Sequence, residues 1–455
     1  MGKAKQRRTA KGRTPQALQG EVGGGDRCSP PIYNPSISSV LFYAIKVIIL
    51  CILSSPFYVM TNLLSFVYGM PPKVVRSKQT RRFIRYAIEC KDITFTAYIE
   101  LLLTIVSHSI TSHISGFCWL IDEILYSKQL NAISINKPLF VLSAYRSAST
   151  EMARTLAKDK QRFVAPNAIM CAFPYLWVWK LITYIVGDDS GISTDEMNVY
   201  LNKNFTKESL ERHDNDHFAI DTFDGYWLSS HLNGLAFHLG PNVIVRECNS
   251  AIFEKYNQCL FENDFVEHVD RLAKKTLLFN GIEEDAPISF LLKGHFLLSA
   301  QALQRQYPDA RFLTVLRDPL DRLKSGINHM AVNATLWQGR PPRWDWLTEA
   351  YEQIEVAYCA REMDWYNNCS SADQKQRLAI RFDAFVKNFD KTMRGVYRDL
   401  LLESSNSDDT NMPTFTPPEK VSKRYSIDKS LKELGVDEAQ FKVQLADYYA
   451  WMKKQ

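Results

Sequence analysis

"FVLSAYRSASTEMARTL", residues 140–156, reads as a buried strand, a tight loop of small hydroxyl residues, and then a helix. In such a unit the unpaired N–H groups of the first helical turn and the positive end of the helix dipole meet at the loop, which makes it a seat for an anion. The candidate contacts are Arg146, Ser147, Ala148, Ser149 and Thr150. The glycines and closing Gly-Lys-Ser/Thr of an ATP-binding phosphate loop are absent here, and no Gly-Lys-Ser/Thr occurs elsewhere, which disfavours a kinase or nucleotide hydrolase. By itself the loop is weak, because strand-turn-helix units with a hydroxyl cap are common.

From Lys137 onward, short apolar runs alternate with longer helical stretches such as residues 297–307. "PLFVLSAY", "NVIVREC", "ISFLLKGH", "RFLTVLRD" and "RLAIRFD" are predicted strands, near-continuously apolar as strands buried on both faces should be. The fold class is therefore α/β, a central, mostly parallel sheet flanked by helices. Ligands of such sheets bind at the carboxyl ends of the strands.

Two further strand ends carry chemistry. "RFLTVLRDPLDRLKSGINHM" delivers Arg317, turns at Pro319, and places Ser325 about two helical turns on, an arginine and a hydroxyl able to grip a second phosphate. The plainer reading, of similar odds in isolation, is a helix-capping Asp-Pro turn with a surface ion pair at Asp321. "FLLKGHF" puts Lys293 and His295 on one face, two residues apart. That pair could take a proton from an attacking hydroxyl while offsetting charge on a transferred group. A lone histidine is more often a satisfied core residue; the lysine beside it at a strand end shifts the balance.

Together these pieces resemble the sulfotransferases that use 3′-phosphoadenosine 5′-phosphosulfate (PAPS). "PLFVLSAYRSAST" is similar to the family's 5′-phosphosulfate loop, "VLRDPLDRLKS" to its 3′-phosphate motif, and "LLKGH" to the Lys-x-His segment of many soluble members. "IRFDAFVKNFDKTMRGVYRDLL" and "KRYSIDKSLKELGVDEAQFKVQLADYYAW" are weaker echoes, so the likeness covers roughly residues 137–455. It implies a P-loop-like sulfotransferase fold and PAPS as donor. It further implies Arg146, Ser147, Ala148, Ser149, Thr150, Arg317 and Ser325 as donor contacts, and His295, Lys293 and Arg146 as the catalytic set, with no metal. Ala148 stands where the family usually has glycine, and its Cβ would crowd the phosphate if the backbone there needs a positive φ. Tyr145 replaces a common proline.

The rest of the chain sets limits. With 455 residues, 46% of them apolar, a large core is available and disorder cannot dominate. A net charge of +5, with its basic residues concentrated before residue 92, argues against a nucleic-acid partner. Nine cysteines without a CxxC or Cys/His cluster argue against structural zinc, and spacing leaves open whether Cys359 pairs with Cys369 or Cys248 with Cys259.

Residues 1–36 read as a disordered basic tail and residues 37–70 as a membrane anchor or hairpin, the only charge after residue 39 being Lys46. The basic tail favours a single crossing into a lumen, as in a retained Golgi or ER anchor. A second basic flank and Ser54-Ser55-Pro56 equally suit a hairpin returning to the cytosolic side. Residues 71–136 are an amphipathic helical region, within which residues 93–126 read as amphipathic helices, and residues 137–455 the catalytic domain. The acceptor, a small molecule, lipid or glycan, is the least legible part. "PNAIMCAFPYLWVWK" and "DTFDGYWLSSH" are aromatic enough to line a pocket, though such stripes are more often core.

Overall fold

The structure is a computed structural model that describes residues 35–70, 73, 81, 94–186, 193–205, 210, 216–221, 223, 262–282, 287–295, 297–338, 344–402, 413–417, 425 and 427–455. The predicted strand "NVIVREC", most of the basic tail and most of "DTFDGYWLSSH" lie outside the described residues.

The helices used below are α1 (Ile37–Tyr68), α2 (Phe95–Ala132), α3 (Ser149–Leu156), α4 (Leu176–Ile185), α5 (Glu262–Phe279), α6 (Ala300–Gln306), α7 (Pro319–Gln338), α8 (Trp344–Asn367) and α9 (Ala446–Met452). The strands are β1 (Leu139–Leu142), β2 (Phe163–Val164), β3 (Ser289–Gly294), β4 (Arg311–Leu316) and β5 (Arg377–Arg381). They form one parallel sheet in the order β2-β3-β1-β4-β5.

Alternate residues of the central strands feed two cores. Phe140, Leu142, Phe290, Leu292 and Phe312 pack on one face, and Leu139, Val141, Leu291, Leu313 and Val315 on the other. Both faces are covered, so the alternation is almost wholly apolar, and buried Thr314 of β4 satisfies its hydroxyl by donating to the Leu142 carbonyl at 2.7 Å. The strand order has a functional consequence. β3, β1 and β4, whose ends carry the three motifs, are immediate neighbours, and the chain adds β2 and β3 on one side of β1 but β4 and β5 on the other. Such a reversal opens a crevice at the carboxyl ends of the strands.

Two sequence expectations for the N-terminal region change. The stretch through Ser54-Ser55-Pro56 is not a turn: α1 runs unbroken from Ile37 to Tyr68 with Pro56 inside it. Proline removes the N–H that would serve the carbonyl of Ile52, and the Ser55 hydroxyl donates to that carbonyl instead, at 2.7 Å. α1 ends at Gly69, in left-handed backbone with φ 64°. The amphipathic stretch expected as several helices over residues 93–126 is one helix of 38 residues, α2.

α2 is bolted to the α/β domain by a buried ion pair. Asp122 takes the Lys275 ammonium of α5 at 2.9 Å and also accepts from the first two N–H groups of α4, Leu176 at 2.6 Å and Trp177 at 3.0 Å. The carboxylate thus caps one helix while neutralising a cation from another.

Candidate active site

The loop after β1 holds two residues in left-handed backbone, Arg146 at φ 58° and Ala148 at φ 62°. Backbone of this kind turns successive N–H groups toward one concavity, the form of an anion nest. Ala148 is the residue preceding α3, and no side chain caps the helix. The hydroxyl-capped alternative for this loop therefore does not hold. Ser147 and Ser149 are buried, while Arg146, Ala148 and Thr150 are partly exposed. The positive φ foreseen at Ala148 is present, and a Cβ in that region costs about 1 kcal/mol.

At the end of β4, the Arg317 guanidinium donates to the carbonyl of Arg146 at 2.8 Å and lies over the Phe382 ring at 4.5 Å. The Arg146 side chain in turn donates to the Ser325 hydroxyl at 3.0 Å. The two predicted phosphate seats are thereby tied to each other. The plainer reading of this segment is realised alongside: Asp318 caps α7 through the Leu320 N–H at 2.9 Å, and Asp321 lies 3.9 Å from Arg317. Burial lowers the Arg317 pKa from its ordinary value, and Asp321 opposes the shift. Arg317 Nε is buried and has no hydrogen-bond partner among the described residues. An orphaned guanidinium nitrogen and an uncapped helix N-terminus are what an anionic nucleotide would satisfy, so the residues present fit such a donor.

At the end of β3, Lys293 is buried and its Nζ stands 3.4 Å from His295 Nε2. His295 Nδ1 lies 2.9 Å from the Ser143 carbonyl. A carbonyl only accepts, so the ring proton belongs on Nδ1 and the lone pair on Nε2. Ser143, not singled out from the sequence, stitches the three strand ends together. Its N–H donates to Gly294 at 3.3 Å and its Oγ accepts from Val315 N–H at 2.8 Å. The signal for it was a hydroxyl closing an apolar strand.

A family model described as "Sulfotransferase family" matches residues 138–406. The chain belongs to the sulfotransferase family. Its fold is similar to the crystal structure of a sulfotransferase from Mycobacterium avium, with a TM-score of 0.57 and 13% identity over 86% of this chain and 94% of that one. A sulfotransferase from Mycobacterium tuberculosis H37Rv is also similar, with a TM-score of 0.50 and 13% identity over 85% and 97%. No curated protein matches the sequence.

This sulfotransferase supports its loop with a buried polar cluster that the sequence did not announce. The Tyr145 hydroxyl donates to Glu355 at 2.8 Å, and its ring meets Tyr351 and Tyr358 edge-on at 5.4 and 5.7 Å. Glu355 and Glu362 both pair with Arg322, and Tyr448 of α9 donates to Glu362. Burial raises the Glu355 pKa, with Arg322 opposing it. The Tyr358 hydroxyl donates to the carbonyl of His295 at 2.8 Å, so α8 braces two of the three strand ends. Of the aromatic segment from Pro166 to Lys180, Cys171, Tyr175, Leu176 and Trp179 are buried in the domain, the core reading of that stretch.

Proposed function

We propose that this sulfotransferase transfers the sulfuryl group of PAPS to a hydroxyl of a lipid-like alcohol or a glycan at a membrane. The observation that carries the reading is the 2.8 Å contact of Arg317 with the Arg146 carbonyl. It ties the loop after β1 to the end of β4, and β3, whose end carries Lys293 and His295, pairs directly with β1.

The donor, when bound, supplies an activated sulfuryl group. The backbone of residues 147–150 would hold its 5′ end at the start of α3, and Arg317 and Ser325 its 3′-phosphate, the group that separates PAPS from ATP. His295 Nε2 would take the proton of the attacking hydroxyl as the new O–S bond forms. The bond from sulfur to the phosphate oxygen breaks, and its electron pair leaves with 3′,5′-phosphoadenosine. Arg146 and Lys293 would offset the charge that gathers there. Lys293 lies against His295 Nε2, so an anion that draws the ammonium away uncovers the lone pair. Base function is thereby coupled to donor binding.

The test combines titration calorimetry with turnover. The full chain should bind 3′,5′-phosphoadenosine well and ATP poorly. His295→Ala should keep that binding while losing about 10²–10⁴ in release of product from labelled PAPS, measured with a membrane extract of alcohols and glycans. Preference for ATP, or binding of neither, would overturn the donor assignment; normal turnover in the variant would overturn the base.

A further inference from the structure

The proposed base lies just past the sheet, not in it. The β1–β3 ladder ends at Leu142 opposite Gly294, and His295 is the next residue of its chain. Strand register therefore places the His295 backbone without fixing the peptide plane or the ring that follow. Two contacts supply what the ladder leaves out. The ring is held at Nδ1, 2.9 Å from the Ser143 carbonyl, and the backbone carbonyl accepts from the Tyr358 hydroxyl at 2.8 Å. A carbonyl at a strand end is commonly satisfied by its neighbours or by water. Here the donor is a side chain 63 residues further along the chain.

Tyr358 is in turn packed on the anion loop. Tyr351, Glu355 and Tyr358 fall on one stripe of α8, and all three meet Tyr145. Tyr351 and Tyr358 lie edge-on to its ring, at 5.4 and 5.7 Å with interplanar angles of 76° and 84°, and Glu355 accepts from its hydroxyl at 2.8 Å. α7 comes as close, since a Cβ on Gly326 would lie 2.4 Å from the same ring. Tyr145 is thus packed tightly against two helices, and it is the residue before Arg146. Its fixed ring fixes that of Tyr358. The Tyr358 hydroxyl therefore links the position of the loop after β1 to that of His295 after β3.

We propose that Tyr358 is the positioning residue of the base: its ring takes its place from the anion loop through Tyr145, and its hydroxyl holds His295 to match. The inference rests on the reading of His295 as the base and of residues 147–150 as the donor seat. In-line attack on sulfur needs the base and the seat at a fixed separation, and a misplacement of about 1 Å at such a site can cost about 10²-fold in rate. The ladder between β1 and β3 stops one residue short of setting that separation. Tyr358 acts through His295 and not on the reacting atoms.

Tyr358→Phe removes the hydroxyl and keeps the ring, so the fold and the loop should stand while the base loosens. The full chain should unfold at the same urea concentration as the parent and bind 3′,5′-phosphoadenosine with unchanged affinity. With the membrane extract of alcohols and glycans as acceptor, kcat at saturating labelled PAPS should fall about 10–10²-fold while the KM for PAPS holds. In a His295→Ala background the same change should cost nothing further. A readout free of turnover is the rate at which diethylpyrocarbonate carbethoxylates His295, followed by mass spectrometry of its peptide without nucleotide. The Ser143 and Lys293 contacts shield the ring nitrogens, so that rate should rise severalfold in Tyr358→Phe. Unchanged kcat, an unchanged carbethoxylation rate, or losses that add in the double variant would each overturn the inference. So would a fall in kcat that comes with weaker nucleotide binding and a lower unfolding midpoint, the mark of a merely structural tyrosine. If His295→Ala turns over normally, the base reading fails and this inference with it; if His295→Ala is silent and Tyr358→Phe is fully active, this inference alone falls.

Discussion

Gly326→Ala tests whether the close approach between α7 and the anion loop is as tight as it looks. Gly326 sits beside Ser325, and a Cβ there would lie 2.4 Å from Cε2 and 3.0 Å from Cδ2 of Tyr145, and 3.2 Å from Cε1 of Tyr351. Carbon atoms settle at about 3.5–4.0 Å, so the Tyr145 ring must move by about 1 Å. It has little room, being edge-on to Tyr351 and Tyr358 and tethered to Glu355. Two effects of opposite sign compete. Alanine in a helix interior gains about 1 kcal/mol over glycine, while overpacking a filled core costs about 1–3 kcal/mol. The clash should win, with net destabilisation of about 1–2 kcal/mol in urea unfolding. Displacing Tyr145 drags Arg146 with it, so affinity for 3′,5′-phosphoadenosine by calorimetry should fall at least about tenfold, equivalent to about 1.4 kcal/mol. In a Tyr145→Ala background the obstructing ring is gone, and Gly326→Ala should become stabilising by about 1 kcal/mol. A single Gly326→Ala variant that is more stable than the parent and binds the nucleotide unchanged would refute the reasoning.

Ala148→Gly removes the left-handed Cβ and should raise stability by about 0.5–1 kcal/mol in urea unfolding while tightening nucleotide binding; a drop in both would show that the loop is not strained there. Asp122→Ala strands the buried Lys275 ammonium and uncaps α4, so a loss of about 3–5 kcal/mol is expected, most of it restored by adding Lys275→Met. Glu352, pushed up from 4.5 to about 7 by burial with Glu349 and Asp437 nearby, stabilises the fold in its protonated form below pH 4.5 and loses that contribution as pH rises through about 7. Such a rise is worth about 3 kcal/mol for a fully buried group and about 1–2 kcal/mol here, where solvent reaches part of the side chain. Glu352→Gln should therefore gain stability over the parent at pH 8 and not at pH 4, as thermal unfolding at the two values would show.

The strands that carry the site were legible because each is a run of apolar residues ending in a polar motif: β1, β3, β4 and β5 all fall on predicted runs. β2, only Phe163–Val164, is too short to show any period. The order of the strands, which makes neighbours of the ends of β3, β1 and β4, was not legible, since nothing local in a strand names its partner. Pro56 misled for a related reason: the signal for a break is local, but its repair by Ser55 depends on where a hydroxyl lands in three dimensions. The site itself divides in the same way. Charged and hydroxyl residues at strand ends announce themselves, and the structure brings Arg146, Arg317 and Ser325 together. Ser143, Tyr145, Gly326 and Tyr358 act by contacts with residues distant in sequence, and no spacing rule reports those.

Arg317 shows how closely scaffold and site are merged. A trans peptide points its carbonyl and the following N–H in opposite directions, so when Arg317 takes the carbonyl of Arg146 at 2.8 Å it turns the N–H of Ser147 the other way. One guanidinium therefore sets the orientation of the loop's first donor group and, through its buried Nε, unpartnered among the described residues, keeps a further donor at the end of β4. Arg146 is fixed from two directions, its carbonyl by Arg317 and its side chain by Ser325. On the proposed function the two seats form a single preorganised unit whose donors are oriented before any anion arrives, the condition under which hydrogen bonds to developing charge are worth most.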